Sequence, residues 1–284
     1  MKFRGKISGP VCIKQFTSVI STLAKLAKVC TFRITPSHLY FVVMEASSLS
    51  STPGLWCELQ QGHFFNEYNM EGVSAEFNEI YLELKPDNLA KTLSILKSST
   101  AVRSLKIKLT RKHSACLTFE IESPSQTSLS RLCTHDIPVA VLPRRLWASY
   151  AEPRMPQFQV SCDLPPLRLL RPVVERMRAL GPRLTVSASH AGRLLLRVES
   201  DQASVATHFC GLRTHPAGHG QDQEADQQQM FEVHVDIKPF AMFLAGDQFH
   251  PAKAVCNLIE DRMLHLFLIH EDITLQYFIP ACSS

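Results

Sequence analysis

Apolar residues recur along this chain with two periods, and the succession of periods occurs twice. Ile13, Phe16, Val19, Ile20, Leu23 and Ala27 return every three or four residues, which places them on one face of a helix. Near 164–180 the same spacing returns in Leu167, Leu170, Val174 and Met177, with Leu180 at the end. Lys85-Pro86 and Lys238-Pro239, 153 residues apart, each open a further helix. Proline suits a first helical turn because its missing N–H has no partner there, and Asp87 suits the positive end. Leu89, Leu93 and Leu96 follow the first of these openings; Phe240, Met242, Phe243 and Leu244 follow the second.

Between the helices the period falls to two, the signature of half-buried strands. The first half predicts strands at Met1–Ile7 (Phe3 and Met1 inward), 29–35, 39–45, 55–60, 80–84, 103–109, 115–122 and 129–137. The second predicts them at 158–162, 183–189, 193–199, 203–209, 231–237, 252–258, 263–269 and 273–279. Each half reads strand, helix, strands, helix, strands. The expected architecture is α+β: two similar domains, each a large antiparallel sheet covered on one side by two helices. Pro138, Pro143, Pro153 and Pro156 disfavour any regular element over 138–156, which reads as a connector pinned by Leu142, Leu146 and Trp147. The expected division is 1–137, 138–156 and 157–284, and each domain is long enough for its own core. Pro172 should kink its helix or displace its start. His215–Gln229 is polar and reads as a mobile loop.

Charge adds a second pattern. The chain is +4 overall, but 18 Lys/Arg stand against 11 Asp/Glu through Tyr150, and 12 against 15 beyond it. Cations lie opposite the apolar stripe in three of the four helices. Lys14, Lys25, Lys28, Lys91, Arg168, Arg171 and Arg178 are the candidates, with Lys28 near or past a helix end. Any one such stripe is an ordinary solvated face. Three in duplicated positions point to a scaffold along nucleic acid that contacts phosphates without reading bases.

The catalytic reading is poor. The nucleophile-elbow, phosphate-loop, zinc-protease and dinucleotide motifs are missing from the sequence. His135-Asp136 and His270-Glu271-Asp272 are neighbours on strand ends, and neighbours on a strand point to opposite faces. His208, Cys210, His215, His219, Glu224 and Asp226 match no closed zinc spacing, so no metal is expected. Nine widely spaced cysteines without a C-x-x-C read as reduced core thiols in an intracellular protein. No apolar run suggests secretion or a membrane span.

Longer stretches carry a resemblance. FFNEYNMEGVSAEFNEIYLEL (64–84), THDIP (134–138), VVERM (173–177), FLAG (243–246) and HEDITLQYFIP (270–280) resemble the Hus subunit family of the heterotrimeric DNA-damage checkpoint clamp, as a divergent paralogue of its common form. The similarity runs from MKFR to the end. It implies a PCNA-type sliding-clamp fold with two inward-facing helices per domain, no catalysis and no cofactor. It implies two other Rad-family clamp subunits as partners, a clamp loader, repair enzymes, double-stranded DNA bound without sequence preference, and a nuclear location with some cytoplasmic pool. Under it, Lys14, Lys25, Lys91, Arg168, Arg171 and Arg178 match the inner helices. The strands at 129–137 and 203–209 match the subunit-contact edges, and partners dock beside the connector. The alternative function is a regulatory protein that binds one clamp partner without completing the ring.

Overall fold

The computed structural model describes residues 1–44, 53–98, 102–123, 131–153, 155, 157–201, 203–216, 228–244, 246 and 250–282. The chain forms two compact units, Met1–Glu152 and Pro153–Ser284.

The first unit runs β1 (Lys2–Ile7), α1 (Pro10–Leu26), β2 (Cys30–Ile34), β3 (His38–Met44), β4 (Pro53–Gln60), α2 (Gln61–Phe64), β5 (Glu67–Glu71), β6 (Ile80–Leu84), α3 (Pro86–Leu93), α4 (Ile95–Ser98), β7 (Ser104–Arg111), β8 (Ala115–Ser123), β9 (Arg131–Pro138) and β10 (Ala140–Val141). A 3-10 helix, Arg144–Tyr150, follows. The second runs β11 (Val160–Asp163), α5 (Leu167–Arg178), β12 (Arg183–Ser189), β13 (Arg193–Glu199), β14 (Ser204–Phe209), β15 (Thr214–His215), β16 (Phe231–Asp236), α6 (Ile237–Phe243), β17 (Lys253–Ile259), β18 (Met263–His270) and β19 (Ile273–Pro280).

The expected single large sheet is two sets of antiparallel strands in each unit. In the first unit they are ordered β5-β1-β7-β8-β9 and β10-β6-β2-β3-β4; in the second, β15-β11-β17-β18-β19 and β16-β12-β13-β14. The two units match strand for strand, apart from β10. The reason for the split lies at the helices. β1 and β2 flank α1, β6 and β7 flank α3, and in each case the chain enters the helix from one set and leaves into the other. The second unit repeats this around α5 and α6. Sequence periodicity locates strands but carries no information on which of two sheets each one joins.

α1 buries Ile13, Phe16, Val19, Ile20, Leu23 and Leu26, while Ala27 is its C-cap. Two of its buried hydroxyls are satisfied locally: Thr17 Oγ1 donates to the Ile13 carbonyl and Ser21 Oγ to the Thr17 carbonyl, both at 2.7 Å, whereas Thr22 Oγ1 has no partner among the described residues. α5 buries Leu167, Leu170, Val174 and Met177. It starts ahead of Pro172 and continues past it, with the exposed proline ring turned away from that stripe. One lost backbone bond is outweighed by the anchors on either side. Met1, Leu180 and Met242 are exposed rather than inward. The α3 stripe stops at Leu93, where Ser94 Oγ donates to the Lys91 carbonyl and α4 begins afresh. Five of the nine thiols are buried; Cys210 is exposed.

One buried polar cluster crosses β17, β18 and β19. Asn257 Nδ2 donates to His265 Nδ1 at 2.8 Å, and His265 Nε2 donates to Gln276 Oε1 at 3.2 Å. Burial holds His265 neutral and pushes its pKa down to about 4, although the Gln276 bond opposes this. The unfolded chain therefore takes up this proton near pH 6.5 and the folded chain does not. Stability present above pH 6.5 declines as the pH falls toward 4, by about 3 kcal/mol in all. Urea denaturation at pH 7 and pH 5 should show this acid loss, and His265→Asn should flatten it; equal slopes in both proteins would show that His265 is not the titrating group.

Candidate nucleic-acid and partner surfaces

Burial of the apolar stripes fixes where the helix cations point. Lys14 and Lys25 are exposed on α1, eleven residues apart, which on an ideal helix means nearly the same angular position and about 16 Å of rise. Lys91 is exposed on α3, which packs against α1. Lys28 lies two residues beyond α1, in the loop before β2, so it does not belong to a helical stripe. In the second unit Arg168, Arg171 and Arg178 are exposed on α5. Arg171 and Arg178 share one side, about 10 Å apart along the axis.

Lys91 and Arg178 pair with acids on their own helices. Lys91 Nζ lies 2.6 Å from Asp87 Oδ2, and Arg178 Nη2 lies 2.9 Å from Glu175 Oε2. The i,i+4 and i,i+3 spacings of these pairs are visible in the sequence, although Asp87 reads there only as a residue suited to the helix start. Arg176 is a further exposed cation on α5 that stripe counting passes over, because it falls beside the Arg168–Arg178 row.

Each unit also ends one strand set in an open edge. β9 is last in β5-β1-β7-β8-β9 and β14 is last in β16-β12-β13-β14. β14 reads SVATHF, with no charged side chain and no proline. Soluble proteins usually protect such an edge with charge, proline or a bulge. Leu132 on β9 and Val205 on β14 are 61% and 37% exposed. On β9 the adjacent His135 and Asp136 engage different partners. His135 Nε2 lies 3.2 Å from Cys133 Sγ, while Asp136 accepts from Thr118 Oγ1 at 2.6 Å and pairs with Lys112. They do not form an acid–base pair.

The connector departs from expectation. Seven of its residues form the 3-10 helix, between Pro143 and Pro153. Proline is tolerated just outside such a turn, and a short i→i+3 helix needs few donors. The Leu142 N–H donates to the Tyr81 carbonyl at 3.0 Å. Trp147 Nε1 donates to the Leu142 carbonyl at 3.1 Å, and its ring stacks on Tyr81 with centroids 4.5 Å apart. Leu146 is 40% exposed, and its N–H donates to the Pro143 carbonyl at 2.9 Å. Beneath Tyr81, Arg33 Nε and Nη2 donate to both Glu79 oxygens at 2.9 and 3.0 Å. Burial acts to raise the Glu79 pKa, but the bonds from Arg33 and Tyr81 outweigh it and hold the carboxyl below its usual range.

No metal-binding group of three or more ligands occurs among the described residues. His215 Nε2 is held 2.7 Å from Asp163 Oδ1. His219, Glu224, Asp226 and most of the polar loop lie outside the described residues. No described helix is long and apolar enough to cross a membrane.

Two strand sets per unit, repeated in one chain with helices at the set changes, define a PCNA-like sliding-clamp fold. Proliferating Cellular Nuclear Antigen from Entamoeba histolytica matches it with a TM-score of 0.70 over 99% of each chain, at 12% identity. The family model described as Hus1-like protein matches residues 1–283. Human Checkpoint protein HUS1 is 46% identical over 284 residues, all of both chains, and Drosophila melanogaster Checkpoint protein Hus1-like is 28% identical over 99% of each. The chain belongs to the Hus1-like family and is a checkpoint-clamp component.

The connector contacts generate a prediction. Trp147→Ala removes both the stack and the indole bond while leaving the buried core untouched. Tryptic cleavage after Arg144 and Arg145 should accelerate by about tenfold, from a local destabilisation of roughly 1–2 kcal/mol, with little change in global unfolding. Unchanged cleavage would mean the connector is held elsewhere.

Proposed function

We propose that this chain is a non-catalytic subunit of a mixed three-subunit clamp that encircles double-stranded DNA and supports damage signalling and repair in the nucleus. The observation that carries the reading is that α1 and α5, at equivalent places in the two units, both expose cations away from their buried stripes. Such charges contact phosphates as point charges, so binding is salt-dependent and indifferent to sequence. A closed ring makes retention topological, which lets weak contacts suffice and permits sliding.

The open edges β9 and β14 supply the second support. An edge such as β14, without charge or proline, is explained if a strand of another subunit covers it. The edges β9 and β14, one in each unit, suit two different neighbours, here the two Rad-family subunits. A clamp loader and repair enzymes are the further partners this reading requires. No step in it needs a catalytic group, metal or cofactor.

Co-purification with the two other subunits, singly and together, should yield a one-to-one-to-one complex by solution mass. A stable pair that excludes the third subunit would favour the single-partner reading, and no association would defeat both. Val205→Lys places a charge on the exposed side of β14 without touching the core. It should abolish one subunit contact and spare the other; retention of both would remove β14 from the interface. On closed circular DNA, the loaded clamp should be retained and should escape on linearisation. Changing Lys14, Lys25, Arg168 and Arg171 to Gln should lower the salt slope of DNA binding by about one for each phosphate no longer neutralised. An unchanged slope would exclude these helices from the DNA path.

A further inference from the structure

A cavity of about 700 Å³ opens beside the 3-10 helix of the first unit. Its aromatic walls are Tyr40, Trp56, Phe77, Tyr81 and Trp147. Arg33 lies between two of them, its guanidinium carbon 4.9 Å from the Tyr40 ring centroid and 5.5 Å from that of Tyr81. Glu79 already neutralises that guanidinium through two hydrogen bonds. The charges left over on the lining are Glu76 and Glu152, which are exposed and make no ion pair among the described residues. The Tyr40 hydroxyl registers this field. Burial first, then Glu58, Glu152 and Glu79, push its pKa up to about 12 in spite of Arg33.

Two further features bear on what fits there. The guanidinium carbon of Arg144, from the 3-10 helix, sits 3.2 Å from the Phe77 ring centroid. The chain's own connector thus already lays a cation on this aromatic surface. Trp56 is fully buried, and its indole N–H has no hydrogen-bond partner among the described residues. Its burial leaves that N–H beyond a ligand's reach, so Trp56 backs the cavity only through its packed ring.

We propose that this cavity binds an arginine or lysine side chain presented by a basic peptide segment of a partner protein. The aromatic faces attract the cation through their quadrupoles, and Glu76 and Glu152 supply the opposite charge. Nucleic acid carries the wrong sign for it. The inference goes beyond the clamp reading and depends on neither DNA contact nor ring closure, since every lining residue lies in the first unit.

The chain contains two tryptophans, and both line this cavity, so intrinsic fluorescence reports on it directly. The full chain is titrated with short Gly-Ser peptides carrying paired arginines, paired glutamates or no charge. The arginine peptide alone should give a saturable change. The doubly substituted Glu76→Gln, Glu152→Gln protein, altered only at exposed positions, should bind it about fivefold more weakly. Arg144→Ala should bind it more tightly, because the resident cation no longer covers Phe77. No response, an equal response to the uncharged peptide, or unchanged affinity in the double variant would overturn the proposal. The helix variants that test the clamp reading should leave this titration unchanged, and the double Gln variant should still assemble with the other subunits.

Discussion

The rest of the structure follows from the burial of one stripe on each amphipathic helix. Ile13, Phe16, Ile20 and Leu23 of α1 are almost fully excluded from solvent, as are Leu170, Val174 and Met177 of α5. Each such side chain contributes roughly 1.5–3 kcal/mol on burial. An exposed ion pair contributes about 0.2–1 kcal/mol. The core therefore sets the rotation of each helix, and the cations go where that rotation leaves them. Charge at Lys14, Lys25 or Arg171 can change freely under selection for binding without disturbing the fold. A change at Phe16 cannot.

The same helices organise the strands. Because each helix is entered from one strand set and left into the other, both sets pack their apolar residues around a shared layer. That arrangement leaves edges, and edges need partners. β9 is partly guarded by its Asp136–Lys112 pair, whereas β14 has no charge at all. The asymmetry suits two different neighbours better than two copies of one.

Much of this was legible in the sequence because it rests on short-range periodicity. The α5 stripe, the alternation of β16 and the duplicated Lys-Pro openings all appear within windows of a few residues. What stayed hidden depends on contacts between distant segments. The alternation in 30–34 and 80–84 gives two strands, but the register Cys30↔Leu84 that joins them is a property of the folded chain. The aromatic cavity draws Arg33, Tyr40, Trp56, Tyr81 and Trp147 from four strands and the connector, and no local pattern links them. The short strands β5, β10 and β15 lie at the edges of their sets, where little burial constrains composition. The 3-10 helix escapes a propensity reading because the flanking prolines dominate it, while Trp147 stabilises the turn through Tyr81, sixty-six residues away in sequence.

Tyr81 also bears on whether the cavity and the basic helices act together. It lies on β6, which runs through Leu84 and Lys85 directly into α3, the helix that carries Lys91. A ligand at Tyr81 is thus close along the chain to a candidate DNA contact. Yet β6 is hydrogen-bonded to β10 on one side and β2 on the other, and Ile80, Leu82 and Leu84 are buried. A close-packed strand held on both sides has no second arrangement to adopt, and coupling needs an element with two states. The 3-10 helix, tied by the Tyr81–Trp147 stack, the Arg144–Phe77 contact and two hydrogen bonds, is the part free to respond. Peptide binding should then alter the connector and leave α3 in place, so that the proposed peptide site and the candidate DNA contact stay separable in one chain.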